Sequence, residues 1–475
     1  MKKILLFIMI FFLTSTMLLA GDKKAKEAVA EDFIKTDVVV IGGGAAGLMA
    51  ALKSAETGVN VVLMEKMAFL GGNTIISAGI IQAAGTSVQR EYGVEGDSPE
   101  KFIEDLKHPG RDYTGQEFVF STIMHEGSRD MVEKLRDRGL EFVNFQEANK
   151  RMHIMYPELY RGGSTLIGLL KDLSVNAKVE IMLNTEAKEL IEENGAIVGV
   201  KANHHGEMIT VKSKAVILAT GGFSSNPEMI RQYLPQLSDL KSRASKGITG
   251  DGIRMAQKHG AETVAMSAGQ HMFYVNPDKE IDVPLLLAFT PAIIVNTEGK
   301  RFINEAIDYA AAARAAVSQP GKKGFIVFDE MVRRSHEPME KYFEVGIVVE
   351  AGSIKELAEK MEMPQLVDTI NRYNEMAKAG VDKEFNREYN FMPLVEPKYY
   401  AITVQPMIYN SYGGLKIDTK CRVLKADGEH IKGLYAAGEV SGSVEVQEGL
   451  NYTSGIAQAL VYGEIAAQTA RNDMK

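Results

Sequence analysis

The stretch that decides the fold is "TDVVVIGGGAAGLMAALKSAETGVNVVLMEK", Thr36 to Lys66. Thr36 to Ile41 reads as a buried strand, because its β-branched run Val38 to Ile41 needs cover on both faces. Gly42-x-Gly44-x-x-Gly47 then opens a helix, and Val59 to Met64 reads as a second strand ending in Glu65. Gly42 makes the tight turn, Gly44 lets a pyrophosphate approach the backbone, and Gly47 lets helix and strand pack closely. The pyrophosphate would rest on the helix N-terminus. Glu65 stands where a carboxylate can take ribose hydroxyls. The glycines alone would be a weak signal, but strand, turn, helix, strand and acid together predict a dinucleotide-binding unit.

Outward from that unit, three segments share its small-residue character. "LGGNTIISAGIIQAAGT" (Leu70–Thr86) offers small side chains against which a flat ring could lie. "AVILATGGFSSNP" (Ala215–Pro227) is a buried strand running into a Thr-Gly-Gly turn, and "GLYAAGEVSG" (Gly433–Gly442) is a strand ending near Glu439. No second GxGxxG follows a strand, so a nicotinamide site is not expected.

The bulk numbers bound the function. The 475 residues are 45% hydrophobic and 24% charged, a globular composition whose length fits two or three domains. A formal charge of −8 with no basic stripe argues against nucleic acid as a partner. The one cysteine, Cys421, leaves no disulfide framework, CxxCH haem attachment or thiolate metal site within the chain. Nine histidines include no HExxH, and His204-His205 read as a solvated turn, so no metal is expected. Residues 1–20 have a basic start, an apolar run and a small-residue junction at Ala20-Gly21, the pattern of an export signal peptide. A retained membrane anchor is the alternative. Residues 21–32 read as a charged linker. The expected location is the periplasm, with membrane contact only if the leader is uncleaved.

Seven stretches in order, "DVVVIGGGAAGLMAA", "GGNTIISAG", "ILATGGFSSNPEMI", "TGDGIRMAQKHGA", "AIIVNTEGKRFINE", "YGGLKID" and "GLYAAGEVSG", run from residue 33 towards the C-terminus. Together they resemble the fumarate reductase/succinate dehydrogenase flavoprotein superfamily, in its soluble flavocytochrome-like branch. The resemblance implies an α/β fold: a Rossmann-like two-dinucleotide-binding FAD domain carrying an inserted α+β clamp. The FAD domain would take 33–265 and 390–475, and the clamp 266–389. The helical pattern "SIKELAEKMEMPQLVDTINRYNEMAKAG", capped by Ser353, fits the clamp's far end. FAD would be noncovalent, because the histidine segment that carries covalent FAD in the membrane enzymes is absent. Cofactor contacts are implied at Gly42, Gly43, Gly44, Ala46, Gly47, Glu65, Lys66, Gly72, Asn73, Thr74, Ala78, Gly79, Ala187, Thr220, Gly221, Asp251, Gly438, Glu439, Gly455 and Ile456.

The resemblance breaks where a fumarate reductase grips two carboxylates. The arginine four residues after the "NE" is here Tyr309, and the "HPT" histidine falls near His271 and Met272. The histidine before the "GG" of "YGGLKID" falls on Asn410, and the C-terminal arginine has no counterpart in "EVQEGLNYTSGIA". Phenols stand in their place: Tyr309, Tyr409, Tyr412 and Tyr452 map to stretches that face the flavin in the family. Packing is the plain alternative for each of them. A further resemblance, of "TPAIIVNTEGKRFINEAIDY" to 3-ketosteroid dehydrogenases, implies a catalytic tyrosine at Tyr309.

These residues imply an exported FAD-dependent oxidoreductase acting on C=C or CH–CH bonds, with Tyr309 and Tyr452 catalytic. His271, Met272, Tyr409, Asn410 and Tyr412 would bind substrate. An ordinary phenol, with a pKa of about 10, gives a proton more readily than it takes one, which favours reduction. Glu305 and Asp308 are expected either to relay protons to Tyr309 or to cap the following helix. The substrate would be an α,β-unsaturated monocarboxylate or an enone. The electron donor would be external, such as cytochrome c or a membrane quinol module. A ketosteroid-type dehydrogenase and a fumarate reductase proper are the alternatives.

Overall fold

The computed structural model describes residues 33–106, 119–144, 150–155, 162–283, 290–306, 309–335, 339–443 and 455–475. The expected leader and linker, and Tyr452 and Asp308, lie outside them. No helix among the described residues is long and apolar enough to cross a membrane.

The main sheet is built on parallel strands. His430–Ala436, Ala215–Leu218, Val38–Ile41, Val61–Met64 and Glu180–Met182 lie side by side in that order. Val38–Ile41 and Val61–Met64 are buried along their whole length, and each is two residues shorter at its start than the sequence predicts. Helix Ala45–Glu56 returns between them and packs on the C-terminal helix Gly455–Asp473. Antiparallel strands Thr185–Glu193, Ala196–His204 and Glu207–Lys212 extend the sheet, and Phe33–Lys35 closes its edge.

A second core starts at Phe273 and runs to Val404. Its sheet joins Ile281–Asp282, Gly269–Asn276, Tyr399–Ser411, Gly324–Asp329 and Ile293–Val295, with Val348–Ala351 also on the long strand. Helices Ile354–Lys360 and Leu366–Ala379 pack beside it, and the Ser353 side chain accepts the Glu356 amide as the first helix's cap. Leu394, Tyr399, Tyr400, Ala401, Ile402 and Val404, which lie after the expected clamp boundary at 389, are also buried in this core. The strand Tyr399–Ser411 belongs to both units. Its first half fills the second core, while Ile408 is buried in the first.

Candidate active site

A cavity of about 830 Å³ runs from the glycine turn to the junction of the two units. That volume lies in the upper part of the roughly 300–1,000 Å³ usual for ligand sites.

At the glycine end the wall is backbone. Gly42 has φ 109°, and a Cβ there would stand 2.3 Å from the Ala219 carbonyl oxygen. A Cβ on Gly47 would lie 1.8 Å from the Gly42 oxygen, so helix and turn touch with no room for a side chain. Gly44 differs, since the nearest atom to its missing Cβ is 3.8 Å away. The helix begins there with no capping side chain and no acid in its first turn. Its leading amides, Ala45 and Ala46 among them, line the cavity and suit an anion. Glu65 is buried, and its two carboxylate oxygens accept the Gly43 and Met67 amides, each at 2.8 Å. It therefore builds the turn as well as facing the cavity. Lys66 Nζ donates to Thr249 Oγ1 and Asp251 Oδ2, both at 2.5 Å, and fixes Asp251 on the same wall.

Along the middle, Asn73 donates to Asn410 Oδ1 and to Glu439 Oε2, each at 3.2 Å. The Ser411 amide donates to Glu439 Oε1 at 3.1 Å. Burial pushes the Glu439 carboxyl up to about 7, against the downward pull of the Ser411, Asn73 and Gly222 hydrogen bonds. Gly72, Thr74, Ala78, Gly79, Ala187, Thr220, Gly221, Gly438, Gly455 and Ile456 complete the lining, so of the cofactor positions Gly47 alone stands behind the wall.

At the junction the wall is side chains. A bulge pairs Gln270 with Asn410 and His271 with Ile408, leaving Tyr409 as the extra residue. Tyr409, Asn410 and Tyr412 consequently all line the cavity, where strict alternation would have turned neighbours apart. The Tyr409 hydroxyl donates to Asp282 Oδ1, and burial beside that carboxylate raises its pKa and keeps it protonated. Asn410 Nδ2 donates to Gln270 Oε1 at 3.0 Å. Gln270, and not the expected His271, is the residue of its strand that lines the cavity. The His271 Nδ1 is buried without a hydrogen-bond partner, and burial pulls its pKa down, so the ring is neutral. Met272 pairs with Met407 through the backbone; its side chain lies outside the described residues. Tyr309 opens the helix Tyr309–Val317, which packs on the strand Gly269–Asn276. The side chain of Tyr309, like the whole of Tyr452, lies outside the described residues.

Glu305 is buried. Its carboxylate accepts from Arg301, Arg387 and the Ile294 amide in a buried network that includes Asp382, so it braces the loop ahead of the helix. Sequence reasoning missed Arg243, Asp282 and Lys341, all of which line the junction end. Arg243 stands just before the "TGDG" turn, and its place beside a motif was the one available signal. Asp282 and Lys341 arrive from distant segments with none.

An open turn, an uncapped helix N-terminus and a long cavity fit a dinucleotide, and the comparisons agree. Residues 37–455 match the FAD binding domain family. The chain is 31% identical to NADH:fumarate oxidoreductase of Klebsiella pneumoniae (strain 342) over 472 residues, covering 96% of this chain but only 50% of that protein. It is 33% identical to a fumarate reductase (cytochrome) of Shewanella frigidimarina over 466 residues, 95% of this chain and 80% of the relative. Against NADH:acrylate oxidoreductase of Vibrio harveyi it is 31% identical over 523 residues, 94% of this chain and 52% of the relative. The chain thus spans about half the length of the two NADH-linked relatives. Its fold overlays on the open conformation of a flavocytochrome c3 fumarate reductase with a TM-score of 0.82 and 31% identity, over 93% of this chain and 79% of that one. With FAD as its cofactor, the chain belongs to the FAD binding domain family of oxidoreductases, within the fumarate reductase/succinate dehydrogenase flavoprotein superfamily.

Proposed function

We propose that this chain forms the FAD-bearing part of an exported reductase that saturates an α,β-unsaturated monocarboxylate or enone in anaerobic respiration. The observation that carries this reading is the junction end of the cavity. Uncharged Tyr409, Asn410, Gln270 and Tyr412 make up much of its wall, and two cations, Arg243 and Lys341, are offset there by Glu280 and Asp282. Such a balance suits one negative charge on the ligand better than two.

FAD held in this cavity would supply hydride to the β-carbon of the alkene. Tyr309 delivers the proton to the neighbouring carbon, with Tyr452 as a second catalytic phenol. Tyr409, Asn410 and Tyr412 hold the acid or carbonyl oxygen, and because the one proton of the Tyr409 hydroxyl goes to Asp282, it reaches the ligand only by turning from that carboxylate. The glycine turn and first-turn amides would hold the pyrophosphate, and the Glu65, Lys66 and Asp251 wall would hold the adenosine end. Electrons come from an external donor such as cytochrome c or a membrane quinol module, a reading supported by the cytochrome-linked name of the Shewanella relative.

The test is an anaerobic screen in which dithionite-reduced holoprotein is mixed with unsaturated acids and enones. Flavin reoxidation by a monocarboxylate or an enone is expected, with fumarate slower than the best of them. Efficient fumarate turnover, or faster oxidation of saturated ketones by the oxidised protein, would overturn this reading. Tyr309→Phe keeps the ring and deletes the hydroxyl, and is expected to lower turnover roughly 10²–10⁴-fold with FAD retained. Turnover within a few-fold of wild type would remove Tyr309 from the chemistry.

A further inference from the structure

We infer that Arg243 anchors the carboxylate of the substrate, an assignment that rests on the proposed reading of the site as one for unsaturated acids. The backbone places it there. Ser242 bridges to Ile408, and the Arg243 amide donates to the Ile408 carbonyl at 2.8 Å, so Arg243 lies alongside Tyr409 and Asn410 on the cavity wall.

Its side chain is poised and incompletely bonded. The Nε atom is buried and has no hydrogen-bond partner. Nη2 is 3.6 Å from Asp282 Oδ2, beyond hydrogen-bond reach, while the other oxygen of Asp282 takes the Tyr409 hydroxyl. Nε and Nη2 share one edge of the guanidinium, the edge that grips a carboxylate through two parallel bonds. Nε is closed off from solvent in this conformation, so a bound carboxylate would satisfy it as the guanidinium turns into the cavity, and Asp282 would limit the site to a single negative charge. The rival role for Arg243 is a latch to Asp282 that ties the two units together.

Oxidised holoenzyme is titrated with acrylate, methacrylate and cinnamate, each beside its methyl ester, with binding read from flavin absorbance. Arg243→Gln is expected to weaken the best-bound acid by about 10- to 100-fold, as for other hydrogen bonds to charged groups, while ester binding barely moves. Asp282→Asn, which removes the competing charge, is expected to tighten acid binding, whereas a latch would weaken in either variant. Flavin content should be unchanged in both. No acid response in wild type, an equal loss for acid and ester, or weaker acid binding in both variants would overturn the assignment. Because binding is read without reduction, a protein that grips acids through Arg243 but reduces none refutes the reductase reading and supports the anchor.

Discussion

At its glycine end the cavity is walled by the backbone of one stretch, Gly42 to Ala46, whereas at the junction it is walled by side chains from separated segments: Arg243, Gln270, Asp282, Lys341 and Asn410. The first wall works by lacking side chains. Its amides and its close helix contact suit any pyrophosphate, whatever the rest of the chain does. The second works by which side chains it has, and a single exchange there changes charge or hydrogen bonding. A shared cofactor and a divergent substrate are the expected result of such a division.

The contrast breaks first at Gly47. A Cβ there would sit 1.8 Å from the Gly42 oxygen, and the close crossing leaves nothing flexible to move aside. Gly47→Val should therefore exceed the roughly 1–3 kcal/mol usual for overpacking and yield insoluble or flavin-free protein. Soluble yellow protein with wild-type melting would show that the crossing tolerates bulk.

Arg301→Met tests the support of the junction end. Arg301 is buried and binds Glu305 and Asp382 at 2.8 and 2.9 Å, so its removal leaves two buried carboxylates short of a partner. Breaking such a network typically costs about 3–5 kcal/mol, read here by urea denaturation. A loss below about 1 kcal/mol would mean that the loop ahead of Tyr309 is braced otherwise.

Gly44→Leu sharpens the comparison, because the space around that position belongs to the ligand. The nearest atom to the new Cβ is 3.8 Å away, so the fold should survive and FAD binding should fail. The readouts are circular dichroism and the flavin-to-protein ratio. A full flavin complement would show that the pyrophosphate does not approach Gly44.

The smallest expected effect is a pH dependence at Glu439, whose carboxyl is raised to about 7 by burial. In the unfolded chain this group ionises near the ordinary carboxylate range, while in the folded protein it keeps its proton until about pH 7. Its contribution to stability is thus fully present below the ordinary range and fades as pH rises towards 7. Melting temperatures of wild type should fall relative to Glu439→Gln across that window and run parallel above it. Parallel curves throughout would show that Glu439 titrates normally.

Local pattern predicted what local physics builds. The strand, glycine turn and helix from Val38 to Glu56, and the Ser353 cap, stand where the sequence puts them, within two residues at the strand starts. Small residues around Leu70 to Thr86 and Gly433 to Gly442 were legible as cavity lining for the same reason. The double role of Tyr399–Ser411, which serves both cores, was not, because no composition shift marks the crossing. Nor was Gln270, because a bulge between strands far apart in sequence changes which side chains face inward.

By itself, then, the sequence determined the dinucleotide turn, which rests on steric rules that act within a few residues, while the two-unit plan and the cofactor class came from its resemblance to a family. Tertiary structure alone decided the electrostatics of the junction. Arg243, Asp282, Lys341 and Tyr409 meet only when the two units fold against one another, and Coulombic and hydrogen-bond energies depend on distances that sequence separation does not encode.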